Sequence, residues 1–351
     1  MKGKPTTLGR GLAVSMAVAL ALSSIGSAAG CSSDDGSEAE ASSEGSITFV
    51  WLPDNSSADM TSSREAVAEI VEEATGRDVE IMTTTDYNVA IEAIASGAAQ
   101  VAFLGPEGYV QANEENGAVQ AAFTYSGEDG GLGEACYYSR ICVRDEDAWE
   151  YVDGDSYSIG NIEGKSFSFV SATSTSGFTV PSTVIVEAFG LESSDALLED
   201  GAFFSDVMFG DSHQGSVVNL LSGQCDVAAF DDVDVDMYLD LVEGEENEAG
   251  AVYEVREDAE APLDSERGER FTVIDSEPVL NSPFCYNTDE LSEEDREAIT
   301  EAFCSDETAE NEEIFADPDD EDASALFTKD SDEVHFVEVG DSWYDAIREL
   351  D

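Results

Sequence analysis

Between positions 47 and 103 the chain alternates short apolar runs with longer stretches in which apolar residues recur every three or four positions. The run Ile47-Thr48-Phe49-Val50-Trp51-Leu52 is rich in residues that suit a pleated, buried surface, and it reads as a strand. After a polar loop, 64–74 has helical spacing and stops before Gly76, which predicts a helix closed by a glycine. The stretch from Tyr87 does the same with Ser96-Gly97 as its stop, then leads into Val101-Ala102-Phe103, a buried strand.

The plan recurs further on. A strand is predicted at 167–170, followed by the Ser/Thr loop at 171–176 and an apolar helix over 178–189 that Gly190 ends. A shift of 126 positions lays Ser222-Gly223 on Ser96-Gly97, Val217 on Ile91, Leu220 on Ile94 and Val227-Ala228 on Val101-Ala102. The same shift lays His213 on Tyr87. Alternating helices and strands build mostly parallel sheets covered by helices, so two copies predict an α/β protein of two lobes. Ligands in such sheets bind beyond the carboxyl ends of the strands, where helix starts converge, so Tyr87 and His213 are expected to face one cleft.

At 351 residues the chain exceeds one ordinary core, which agrees with two lobes. Its start is different in kind. Lys2, Lys4 and Arg10 precede an apolar stretch over 11–25 and then Ala28-Ala29-Gly30-Cys31, so 1–30 is expected to be an export signal. Small residues directly before Cys31 predict that this cysteine is lipidated and becomes the mature N-terminus. Positions 31–45 are too polar to bury anything and read as a tether. The expected location is extracytoplasmic, held to the cell membrane only by the lipid, because no second apolar run is long enough to span a bilayer.

Charge narrows the partners. The formal net charge is −65, and losing the three cations of the first thirty residues takes it to −68. Nucleic acid and anionic lipid surfaces need clustered Lys and Arg, which this chain lacks. Self-repulsion of that size is screened only in concentrated salt, so a salt-loving source is expected. Asp232, Asp234, Asp236, Asp240 and Glu243 fall at the ligand positions of a calcium loop, but Met237 stands where the turn needs Gly. The run is therefore read as a solvated acidic face, and no metal or other cofactor is expected. Beyond Cys31 there remain Cys136, Cys142, Cys225, Cys285 and Cys304; spacing favours a Cys285–Cys304 bridge without fixing the connectivity.

Ser174-Thr175-Ser176-Gly177 lies between a predicted strand and a predicted helix, with Pro181 early enough to be tolerated in the first turn. A helix start offers unpaired N–H donors and the positive end of a dipole, so an anion can be held there without lysine or arginine. One cap needs one hydroxyl, and three are present. Ser176, His213 and Asp231 are the residue types of a hydrolase triad, yet no Gly-x-Ser-x-Gly elbow surrounds these serines, so an enzyme is not expected.

Asp86-Tyr87, Gly105-Pro106, Tyr137-Tyr138-Ser139, Ser174-Thr175-Ser176-Gly177 with Pro181, His213, and Gly223 followed by Asp226-Val227-Ala228 together resemble the phosphate, phosphite and phosphonate substrate-binding proteins of ABC importers, over 47–302. The resemblance implies a type II periplasmic-binding-protein fold of two lobes joined by two crossovers. It implies lobe 1 at 46–140 plus 284–351 and lobe 2 at 141–283. It also implies a phosphorus oxyanion held by Tyr87, Tyr137, Ser174, Thr175, Ser176 and His213. Strand alternation sends Tyr137 and Tyr138 to opposite faces, and Tyr137 is expected inside. The implied partners are an ABC permease and its ATPase, served by a monomer; a receptor that reports an oxyanion to a signalling partner is the alternative role. Aminophosphonate binders of this family carry carboxylates at positions that look like Val233 and Ser282 here, which points toward an inorganic or alkyl ligand; Asp231, Asp232 and Asp234 lie close enough for a one-residue shift to restore the acid, so an aminophosphonate is the alternative.

Overall fold

The computed structural model describes residues 45–54, 60–316 and 325–350. The expected signal, the lipidated Cys31 and the tether up to position 44 lie outside the described residues. No described helix is long and apolar enough to cross a membrane.

Two sheets carry the fold. The first contains Ile47–Trp51, Val79–Thr83, Val101–Phe103, Val119–Tyr125, Phe284–Asn287 and Phe336–Glu338. The second contains Cys136–Arg144, Ser166–Phe169, Asp206–Phe209, Val227–Asp231, Leu239–Glu243, Val252–Val255 and Arg270–Leu280. The chain thus leaves the first sheet after Tyr125 and rejoins it at Phe284, and the boundary expected at 140/141 falls inside the strand Cys136–Arg144. The two passages are tied to each other: Asn281 Nδ2 donates to the Tyr125 carbonyl at 3.0 Å and Thr124 Oγ1 to the Ser282 carbonyl at 2.8 Å.

Mostly parallel sheets were expected, and the structure corrects this: each sheet is mixed. Ile47–Trp51 runs parallel to both Val79–Thr83 and Val101–Phe103, and Ser166–Phe169 runs parallel to both Val227–Asp231 and Asp206–Phe209. The strands that carry the chain between sheets, Cys136–Arg144 and Arg270–Leu280, pair antiparallel with each other, as does Phe284–Asn287 with Val101–Phe103. A segment that returns to a sheet directly, without a helical crossover, arrives antiparallel.

Both faces of each sheet are buried. Phe49 and Trp51 pack with Phe103, Phe284 and Phe303 on one face of the first sheet, while Val50 packs with Ile91, Ala102 and Cys285 on the other. In the second sheet Cys142 joins Val217, Leu220 and Phe271, and its neighbours Ile141 and Val143 join Phe167, Phe169 and Ile185 on the opposite face. This alternation overturns the expected Cys285–Cys304 bridge. Cys304 packs against the Phe303 side and Cys285 points to the other, so the sheet stands between two thiols, and all five described cysteines are unpaired.

The internal repeat holds in three dimensions. The helices Tyr87–Ala95 and His213–Leu221 begin and end at equivalent positions, each has a local N-cap, Asp86 or Ser212, and each is followed by a glycine at positive φ, Gly97 or Gly223.

The acidic run is only in part the solvated face expected: Asp240 and Glu243 are exposed, but Asp232 is buried, and Asp236 receives both guanidinium arms of the fully buried Arg140, at 2.6 and 2.7 Å. Arg140 also stacks on Tyr253 at 4.4 Å and donates to Asn247 Oδ1 at 2.7 Å. This network fixes the segment that follows Val227–Asp231, so packing rather than solvation sets its course. We expect Arg140→Leu to destabilise the protein by about 3 kcal/mol, the low end for breaking a buried pair because Asp236 keeps 31% side-chain exposure. Denaturant titration in molar salt measures it, and a loss below about 1 kcal/mol would mean that the pair is structurally idle.

Candidate functional site

The Ser/Thr loop is built by a local departure from the α-helix. Ser174 is extended, and its Oγ accepts from Gly177 N at 3.1 Å, while Thr179 N reaches back five residues to the Ser174 carbonyl at 3.0 Å. Thr175–Thr179 is therefore one wide π-type turn ahead of the helix Val180–Phe189, a form that concentrates at functional sites. Gly177 makes the turn possible, since a Cβ there would sit 2.4 Å from Val170 Cβ.

The loop faces His213. Ser176 Oγ donates to Asp231 Oδ2 at 3.2 Å, and the same oxygen lies 3.2 Å from His213 Nε2. Ser174 Oγ lies 3.5 Å from that nitrogen. The Asp231 backbone N–H donates to His213 Nδ1 at 2.9 Å, so Nδ1 is an acceptor and the ring proton sits on Nε2, aimed at the carboxylate and the serines. Ser139 Oγ donates to the Ser176 carbonyl at 2.6 Å and anchors the loop to the strand Cys136–Arg144.

Residues of the first sheet close the site. Asp54, just beyond Ile47–Trp51, accepts from the Tyr87 hydroxyl through Oδ2 and from His213 N through Oδ1 at 2.7 Å. The two helix starts matched by the internal repeat thus meet across one carboxylate. Thr175 Oγ1 accepts from Glu107 N at 2.9 Å, capping the helix Pro106–Glu115, which has no cap of its own; the Thr175 proton is left to donate. Tyr137 is buried and Tyr138 is half-buried on the other face. All six expected ligand-binding residues are buried around one region.

Val233 is exposed, but Asp231, one of the neighbouring acids that a small shift in register would bring to this place, is buried and touches both Ser176 and His213, which weakens the argument from Val233 for an inorganic or alkyl ligand. Asp54 was missed altogether. Its only sequence signal is an acid directly after the first strand, at the end where the cleft was expected.

Burial governs the electrostatics. It holds the His213 pKa below the ordinary imidazole value, opposed by the nearby Asp54 charge, and it lifts the Tyr87 and Tyr137 phenols well above theirs. Asp231 is raised well above the usual carboxylate range by burial and then by Asp234, Asp232 and Asp54. Burial also lifts Asp232 and Asp275 to about 6. A carboxyl raised above its unfolded value weakens the fold at neutral pH and relaxes as pH falls through its folded pKa; His213, lowered, acts oppositely below about 6.5. Three carboxyls outweigh one imidazole, so the denaturation midpoint in molar salt is expected to rise from about pH 7.5 to about pH 5.5. A midpoint that falls over that window would contradict these shifts.

Residues 49–344 match the family described as ABC transporter, phosphonate, periplasmic substrate-binding protein. Over 187 residues the chain is 32% identical to the phosphate-import protein PhnD of Mycolicibacterium smegmatis, covering 53% of this chain and 55% of that one, so it spans about half the length of that relative. A binding protein component of an ABC phosphonate transporter from Pseudomonas aeruginosa superposes with a TM-score of 0.60 at 16% identity, covering 88% of this chain and 85% of that one. PhnD1 from Prochlorococcus marinus, in complex with methylphosphonate, does so at 0.57 and 13%, covering 87% and 96%. These likenesses carry the fold, the type II periplasmic-binding-protein architecture expected from the sequence. With most of its length matched, the chain belongs to the phosphonate substrate-binding proteins of ABC transporters.

Proposed function

We propose that the protein binds a phosphorus oxyanion, phosphate, phosphite or an alkylphosphonate, between two lobes built on its two sheets, and delivers it to an ABC permease and its ATPase. The observation that carries this reading is the meeting of Tyr87 from the first sheet's side with Ser174, Ser176 and His213 from the second, around buried donors at helix starts. Donors of this kind hold an anion without spare cations. The division proposed is 46–140 with 284–351 against 141–283, and closure of one lobe on the other follows if the ligand touches both. An export signal over 1–30 and lipidation of Cys31 would hold a monomer outside the cytoplasm, at the membrane.

Binding without turnover is supported by the hydrogen bonds. Ser176 and His213 Nε2 both point at Asp231, and His213 Nδ1 is occupied by a backbone N–H, so no relay runs from serine through histidine to acid. An aminophosphonate is the second reading, favoured by the inward Asp231, whose carboxylate could meet an ammonium group.

Calorimetric titration in molar salt with phosphate, phosphite, methylphosphonate and 2-aminoethylphosphonate tests the reading. Ser176→Ala and His213→Ala are each expected to weaken the bound ligand by roughly 10- to 150-fold, the value of about 1.5–3 kcal/mol for a hydrogen bond to a charged group. Binding that survives both changes would remove the loop from the site. Because the field of −65 repels an anion, affinity is also expected to improve between about 0.1 M and 1 M salt, as the screening length shortens from about 10 to 3 Å. Affinity that declines steadily with salt would argue for a cationic ligand.

A further inference from the structure

Asp54 stands on the first sheet's side, and its carboxylate bridges that side to the second. Oδ1 accepts from His213 N at 2.7 Å, Oδ2 accepts from the Tyr87 hydroxyl, and the residue is 3% exposed. Neither helix needs it as a cap. Ser212 already accepts from Gly215 N at 3.0 Å, and Asp86 from Asn88 N at 2.8 Å, so each start has the local cap that such helices use. Asp54 comes instead from 159 residues away in the chain. The groups it joins are the two that the internal repeat puts in register, where the oxygens of an anionic ligand are expected.

We propose that Asp54 is an internal anion: its two oxygens occupy the places of two ligand oxygens, and an incoming oxyanion has to displace it. The inference rests on the reading of this cleft as an oxyanion site and adds how that site is regulated. A phenol O–H and a backbone N–H engaged by Asp54 are unavailable to any other acceptor in the same geometry. The position also crowds carboxyls together, because an Asp234 oxygen lies within 4.8 Å of an Asp54 oxygen and Asp231 adds a further carboxyl at His213 Nε2. Asp54 reaches over from the other sheet, so it is the carboxylate that leaves the pocket when the two sheets part. An anion that cannot outbid it is refused, which makes Asp54 a threshold on affinity.

The test is titration of the full mature chain in molar salt with phosphate, phosphite, methylphosphonate and 2-aminoethylphosphonate, comparing the parent with Asp54→Ala and Asp54→Asn. Asn keeps the size and one acceptor while removing the charge, so it carries the test should Ala fail to fold; thermal melts report on both. Both variants are expected to bind phosphate, phosphite or methylphosphonate about tenfold more tightly or better, each tenfold being about 1.4 kcal/mol. Unchanged or weaker binding in Asp54→Asn overturns the proposal. Selective loss of 2-aminoethylphosphonate overturns it as well, making Asp54 a partner for the ligand's amine. If none of the proteins binds any probe, the oxyanion reading itself falls and the proposal with it.

Discussion

The His213 backbone N–H, at the start of its helix, points at an acceptor from the other sheet, and the site is organised around that one donor. An anion at this site would be held by groups that donate without carrying charge, since no arginine or lysine is seen to bond to the site's described residues; Arg140 pairs with Asp236, Arg77 with Asp295, Arg144 with Asp147 and Lys165 with Glu150. Hydroxyls and N–H groups at helix starts are what remains, and in a buried, low-dielectric cleft they are worth more than in water.

The fold exists to bring such starts together. The internal repeat produces two helices of equal length whose first residues are Tyr87 and His213, and the fold brings both to the Asp54 carboxylate. The π-type turn at Thr175–Thr179 adds the serines, and it depends on the missing Cβ of Gly177 and on the Ser139 hydroxyl beneath it. Thr175 also caps the helix Pro106–Glu115 of the first sheet's side, so the loop that would hold the ligand is itself a contact between the two halves.

Against these donors stand carboxylates. Asp231 receives Ser176 and faces His213 Nε2, while Asp54 receives Tyr87 and His213 N. A buried donor left without an acceptor costs about 1–3 kcal/mol, so by satisfying these donors the two groups offset part of the cost of their own burial. The same carboxylates would repel an anion, and under the function proposed this opposition limits what the site accepts.

The sequence by itself determined the lobed α/β plan, the equivalence of Tyr87 and His213 and the Ser174-Thr175-Ser176-Gly177 loop, because each is written in local periodicity, in helix stops and in a repeat at a fixed shift. Tertiary structure decided what locality does not encode. Cys285 and Cys304 are close in the chain, but they lie on opposite sides of a sheet, which only the strand's orientation reveals. Asp231 is buried and Val233 exposed although residues two apart share a face of a strand, because the strand ends at Asp231 and the chain turns there, with Val235 N donating to the Asp232 carbonyl. The antiparallel returns depend on how the chain passes between sheets. Asp54 meets His213 across 159 residues, a contact fixed by the packing of two sheets and by no pattern near either residue.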